Sequence, residues 1–238
     1  MENSTKTVLA KMGARVMKLN CSTFSKLKSP LKLKRTAKFH SSIQRAGLDR
    51  MGMMLLECTD NVKRITSIQD IIDYYPDSDY DAVAREFNDI IASFNRVGVG
   101  VFLADTKYFP PGHRGVYHTV GNNFFLNDAF MHRQSTLMSV TRHEGWHAAQ
   151  DCMAGTIENS MIAIIKPEEA VPTIWRTLAE RTYPPNAVPW EAEASWAGRT
   201  EGMTAKALDA CATGEMWKVY PPTPLTGQWL KENGYLAD

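Results

Sequence analysis

The segment that most constrains the fold of this 238-residue chain is residues 143–147, HEGWH, which has the form H-E-x-x-H. The flanking sequence predicts a helix that is capped by Ser135 or Thr136 and ends at Gly155, since hydroxyl side chains cap helix starts and glycine commonly follows helix ends. Residues four apart lie on one face of a helix. His143 and His147 can therefore present both imidazoles to one metal ion.

Glu144 lies between the two histidines around the same predicted helix. Zinc binds imidazole nitrogen well, and a site with three protein ligands leaves one position for water. A carboxylate beside that position can accept a proton from the activated water and pass it to a leaving amine. The motif thus predicts Zn²⁺ as cofactor, His143 and His147 as ligands, and Glu144 as catalytic base and acid.

A third ligand has to come from another part of the chain. Glu191 and Glu193 lie in a helix predicted to begin at Pro189, and their small alanine neighbours permit close helix packing. The two glutamates point to different faces of that helix, so only one of them can bind the ion. Glu158, shortly after the motif helix, is a further candidate.

The motif and the downstream segment 191–195, EAEAS, resemble the gluzincin group of zinc metallopeptidases over roughly residues 97–200. The metzincin extension is excluded because Gln150 and Met153 occupy its glycine and third-histidine positions. The resemblance implies that Glu191 is the third ligand. It also implies that Ser195, in place of the usual Asp or Asn, stands where a residue orients a zinc-binding imidazole, a role that Asp151 can share.

The same resemblance implies an α+β, zincin-like fold. A small mixed sheet would place its edge strand against the motif helix, and further helices would follow toward the C-terminus. The implied activity is hydrolysis of peptide bonds in a peptide or protein substrate, which would pair with the edge strand. Four residues are candidates for stabilising the oxyanion: Tyr117, His118, His132 and Tyr183.

Apolar periodicity and turn residues predict the elements that precede the motif. A helix capped by Asp79 or Asp81 extends to about Asn95, and a buried strand extends to Ala104. Two short strands, 115–119 and 124–127, flank a turn at residues 121–123 and form a predicted hairpin.

The charges of the chain are strongly divided. Residues 1–50 carry 12 basic and two acidic residues, whereas residues 51–238 carry 15 basic and 24 acidic ones. We predict a basic arm over residues 1–45, with an amphipathic helix and an extended linker, and a metallopeptidase domain over residues 46–238. The arm is interpreted as a solvated tail, as a contact with nucleic acid or an acidic partner, or as a transit peptide.

The arm also supports a function of another class. The chain could be a non-catalytic zincin-like structural or assembly protein whose arm contacts nucleic acid or a partner. The absence of an apolar membrane span and of a secretory signal favours the cytoplasm, or alternatively a larger particle such as a virion. Four scattered cysteines, Cys21, Cys58, Cys152 and Cys211, are expected to be reduced thiols.

Overall fold

The computed structural model describes residues 59–157, 159 and 161–237. The predicted arm, the boundary near residue 46 and Glu158 lie outside the described residues. The described part contains four strands and eight helices, as predicted for an α+β chain. In order they are β1 (Val62–Arg64), α1 (Ile68–Tyr74), α2 (Ala84–Arg96), β2 (Gly100–Ala104), β3 (Gly115–His118), β4 (Asn123–Asn127), α3 (Gln134–Met153), α4 (Thr173–Thr182), α5 (Val188–Ala197), α6 (Met203–Ala212), α7 (Met216–Val219) and α8 (Pro224–Glu232).

The strands form one mixed sheet in the order β1-β2-β4-β3. Strands β2 and β4 are parallel, and the outer strands pair antiparallel with them. The predicted hairpin is confirmed as β3 and β4, with Asn122 at a φ of 49° in the connecting turn. Strand β3 thus lies at the edge of the sheet, and it contacts α3.

Helix α2 starts later than the sequence predicted. Asp79 accepts a hydrogen bond from the backbone N–H of Asp81, which closes a turn before the helix. Tyr80 is buried there, and its hydroxyl donates to the carbonyl of Met131 at 2.8 Å. The helix therefore begins only at Ala84, while its predicted apolar stripe is buried as expected.

The motif helix α3 runs through the centre of the described domain, between the sheet and the C-terminal helices. It begins at Gln134, so Ser135 and Thr136 lie inside the helix and the predicted side-chain cap is wrong. Its predicted end is confirmed, since Gly155 follows the helix with a φ of 122°.

The cysteine prediction is wrong for two of the four residues. Cys152 at the end of α3 and Cys211 in α6 form a disulfide with a Cα–Cα distance of 6.1 Å. Helix packing brings together two residues that are 59 positions apart, a proximity that their spacing does not reveal. Disulfides persist mainly in oxidising compartments, so this pair gives no support to the cytoplasmic prediction.

No helix in the described part of the chain combines the length and the apolar character that a membrane crossing requires.

Gly145 allows α6 to pack closely on α3. A Cβ atom there would lie 2.6 Å from Cγ2 of Thr204 and 3.3 Å from Cζ of Phe94. Thr204 cannot easily rotate away, because its hydroxyl donates to the carbonyl of Arg142 at 2.7 Å. The glycine inside the motif is thus explained by packing.

We predict that Gly145→Ala destabilises the protein by about 1–2 kcal/mol. Because the new Cβ would lie only 2.6 Å from Cγ2 of Thr204, the crowding should cost about 2–3 kcal/mol, the upper part of the usual range, which outweighs a gain in helix propensity of about 1 kcal/mol. Urea unfolding measures the change. The matched control is Gly227→Ala in α8, where the nearest atom to a new Cβ would be 3.9 Å away, and this variant should be neutral or stabilising. A Gly145→Ala protein as stable as the wild type would contradict the packing argument.

Candidate metal centre

Three potential ligand atoms meet on the cleft-facing side of α3. Nε2 of His143 lies 3.2 Å from Nε2 of His147. Oε2 of Glu191, from α5, lies 3.3 Å from the first of these nitrogens and 3.6 Å from the second. These residues form the one group of three or more potential ligands close enough to share an ion in the described ranges.

The spacing of these atoms fits a divalent ion. Ligand atoms about 2.0–2.1 Å from a tetrahedral zinc ion lie about 3.3–3.4 Å from one another. Oε2 of Glu191 is also buried, and its charged neighbours are the two imidazoles, with which it forms no regular hydrogen bond. A buried carboxylate needs a cation beside it, and a metal ion could take the place of the imidazolium proton. The three side chains could therefore hold a metal.

Glu193 is directed elsewhere and is fully engaged by hydrogen bonds. It is 1% exposed, and it accepts hydrogen bonds from Nε1 of Trp146 at 3.0 Å and Nε2 of Gln150 at 2.8 Å. The backbone N–H groups of Ile165 and Lys166 also donate to it. Of the two candidate glutamates in α5, only Glu191 thus lies beside the histidines.

The partner of the outer nitrogen of His147 is a residue that the sequence analysis missed. Nδ1 of His147 lies 2.8 Å from Oε1 of Gln150, one helical turn further along α3. Nε2 of Gln150 donates to Glu193 and to the carbonyl of Trp190, so the side chain is held on both sides. The i, i+3 spacing of His147 and Gln150 is the signal that could have identified this pair.

The two residues predicted to orient an imidazole do not do so. No hydrogen bond joins Ser195 to either histidine within the described ranges, and Nδ1 of His147 is paired with Gln150. Asp151 instead accepts a hydrogen bond from the hydroxyl of Tyr117 at 2.9 Å. Burial raises the pKa of Asp151 to about 7, although this hydrogen bond acts in the opposite direction.

Glu144 is held by the edge strand. Its Oε2 accepts a hydrogen bond from the backbone N–H of Tyr117 at 2.8 Å. Gly115, two residues earlier in β3, permits this approach, since a Cβ there would lie 3.2 Å from Cγ of Glu144. Tyr117 therefore binds α3 twice, through its backbone to Glu144 and through its hydroxyl to Asp151.

The site opens into a cleft of about 960 Å³ that contains all three potential ligands and Glu144. Of the four oxyanion candidates, Tyr117 and Tyr183 line this cleft, and the side chain of Tyr183 lies near Glu191 and Glu144. Burial and these two carboxylates raise the pKa of Tyr183, so its hydroxyl keeps the proton. Tyr117 is occupied by Asp151, while His118 and His132 do not line the cleft.

The protonation of the metal-free site follows from its burial and its charges. Burial alone would lower the pKa of His147, but Glu191, Glu144 and Gln150 outweigh it and raise that pKa to about 9. Burial opposes ionisation of Glu191, yet the two imidazoles hold its pKa well below the usual range. The metal-free site is thus an ion pair at neutral pH.

Comparison of the chain with protein-family models, with curated proteins and with solved structures finds no match in any of the three. The likeness to gluzincins therefore remains a resemblance of motif and spacing.

We predict that metal affinity increases with pH below about pH 9. A ligating imidazole must be neutral, so an ion has to displace the proton of His147, and the apparent Kd should fall about tenfold per pH unit. Competition with a chromophoric zinc chelator between about pH 6 and pH 8 measures the slope. His132→Gln should keep that slope, and His147→Gln should abolish binding. A Kd independent of pH would contradict this assignment.

We also predict that Glu193→Ala destabilises the protein by about 3 kcal/mol or more, since it leaves several buried donors without an acceptor. Urea unfolding gives the free-energy change. The control is Glu169→Gln, because Glu169 is exposed and its replacement should change stability by less than about 0.5 kcal/mol. A similarly small loss in Glu193→Ala would show that the buried carboxylate is dispensable.

Proposed function

We propose that this protein is a zinc-dependent metallopeptidase that hydrolyses peptide bonds. The observation that carries the proposal is the combination of three converging ligand atoms with Glu144, a carboxylate that lines the same cleft. The contact with Tyr117 occupies only one oxygen of Glu144, so a fold-stabilising role alone does not account for this carboxylate beside the potential ligands. The edge position of β3 beside the cleft further supports a peptide substrate, since an extended peptide can add to a sheet edge, here through backbone groups other than the N–H of Tyr117, which Glu144 occupies.

In this proposal His143, His147 and Glu191 hold the zinc ion. The ion supplies Lewis acidity toward water and toward the carbonyl of the bond to be cleaved. The chain supplies the proton transfers. Because Oε2 of Glu144 is held by Tyr117, Oε1 accepts the proton of the attacking water and later delivers it to the leaving nitrogen. Tyr183, still protonated, donates a hydrogen bond to the negative charge that develops on the carbonyl oxygen.

The test is the Glu144→Gln variant. The amide preserves size and shape but cannot accept the proton, so peptide hydrolysis should fall by about 10²–10⁴-fold. Zinc content, measured per chain by mass spectrometry, should stay at the wild-type level because Glu144 is not a ligand. Glu169→Gln serves as the control that alters an exposed glutamate and should leave both quantities unchanged.

Three results would overturn this proposal. Wild-type protein that binds no metal would remove its basis. Stoichiometric metal without hydrolysis, or hydrolysis undiminished in Glu144→Gln, would exclude the mechanism. Metal without hydrolysis would favour the alternative function, a non-catalytic structural or assembly protein whose basic arm contacts nucleic acid or a partner.

A further inference from the structure

We propose that the cleft selects substrates that carry a carboxylate close to the cleaved bond, bound by Arg114 and Arg199. The inference rests on the proposed peptidase function and specifies its substrate class. Both arginines line the cleft that contains the candidate metal centre. Arg114 immediately precedes the edge strand β3, and Arg199 lies two residues after the end of α5.

The position of Arg114 is fixed by its neighbours in the sheet. It precedes Gly115, whose backbone lies against Glu144. The carbonyl of Arg114 accepts a hydrogen bond from the backbone N–H of Asn127 at 3.0 Å. Its guanidinium carbon lies 5.6 Å from the ring centroid of Phe130, a cation–π contact that holds the side chain without neutralising it.

The backbone at Arg199 is positioned against α3 in a comparable way. Arg199 follows Gly198, where a Cβ atom would lie 3.3 Å from Cβ of His143 and 3.0 Å from the carbonyl oxygen of Ser139. The backbone N–H of Arg199 donates to the carbonyl of Trp196 at 3.0 Å. Each arginine is thus one residue from a glycine in close contact with the motif helix.

The charges around these arginines favour an anionic ligand. Neither guanidinium forms an ion pair or a hydrogen bond with any residue that the structure describes. Apart from Glu144 and Glu191, no acidic residue within the described ranges lines the cleft. By contrast, residues 51–238 as a whole carry nine more acidic than basic residues. Two arginines without an ion-pair partner in the described structure therefore line this cleft of an otherwise acidic domain.

Guanidinium groups bind carboxylates through two parallel hydrogen bonds. Such a carboxylate could belong to an Asp or Glu side chain of the substrate or to its C-terminus. An arginine binds a carboxylate from either source in the same way. Peptides of matched sequence that lack either the acidic side chain or the free C-terminus distinguish the two sources.

The first experiment exposes the zinc-loaded protein to a complex peptide mixture and identifies the cleaved bonds by mass spectrometry. We expect an enrichment of Asp and Glu within a few residues of the cleaved bond, or cleavage confined to the C-terminal end. Individual peptides with Glu or Gln at the selected position, and with a free or amidated C-terminus, then give kcat/KM values. The peptide with the preferred carboxylate should be favoured about tenfold over its neutral counterpart.

The variants locate the source of that preference. Arg114→Gln and Arg199→Gln should each reduce the preference several-fold, mainly through KM. The control is Arg85→Gln, because Arg85 is exposed in α2, has no ion-pair partner in the described structure and does not line the cleft. Increasing salt should weaken the preference of the wild type for the carboxylate peptide. It should leave unchanged the preference of a variant that combines Arg114→Gln with Arg199→Gln.

A binding measurement separates this inference from the proposed function. The Glu144→Gln protein should bind the fluorescently labelled carboxylate peptide more tightly than its neutral counterpart, and this comparison requires no hydrolysis. Equal binding and equal cleavage of the two peptides would overturn the inference while leaving the peptidase proposal intact. Tighter binding of the carboxylate peptide without cleavage by the wild type would support the inference and overturn the peptidase proposal.

Discussion

The buried carboxylate of Glu193 is the interaction on which the arrangement of the site depends. It joins Trp146 and Gln150 of the motif helix to the backbone at residues 165 and 166. Because Glu193 belongs to α5, these hydrogen bonds set how that helix lies on α3. Glu191 is only two residues from Glu193 in the same helix. Its approach to the histidines therefore depends on Glu193, which is not itself one of the potential metal ligands.

Glycine contacts give the site its close approaches. Gly115 and Gly198 bring the edge strand and the end of α5 against the same stretch of α3, while Gly145 admits α6 from another side. A side chain at any of these positions would meet an atom within about 3.3 Å and push an element outward. The candidate metal centre and the cleft beside it thus depend on three positions that contribute no functional group.

Local patterns predicted much of this structure, and long-range packing accounts for what they missed. The β3–β4 hairpin and the end of α3 at Gly155 follow from turn residues and glycine conformations that act within a few positions. The histidine pair follows from helical periodicity alone. The contact of Tyr117 with Asp151 and the Cys152–Cys211 disulfide depend on how separate elements pack, which one sequence does not reveal. The role of Gln150 was missed for a related reason, since its amide is oriented by Glu193 from another helix.

The double attachment of Tyr117 to α3 has a consequence for the pairing of the strands. Side chains alternate between the two faces of a strand, so a shift of β3 by one residue would turn the phenol away from the helix. The hydroxyl contact with Asp151 and the amide contact with Glu144 would then be lost together. The position of the Glu144 carboxylate in the cleft therefore depends on the correct alignment of the hairpin. A misaligned edge strand would leave Glu144 without the hydrogen bond from Tyr117.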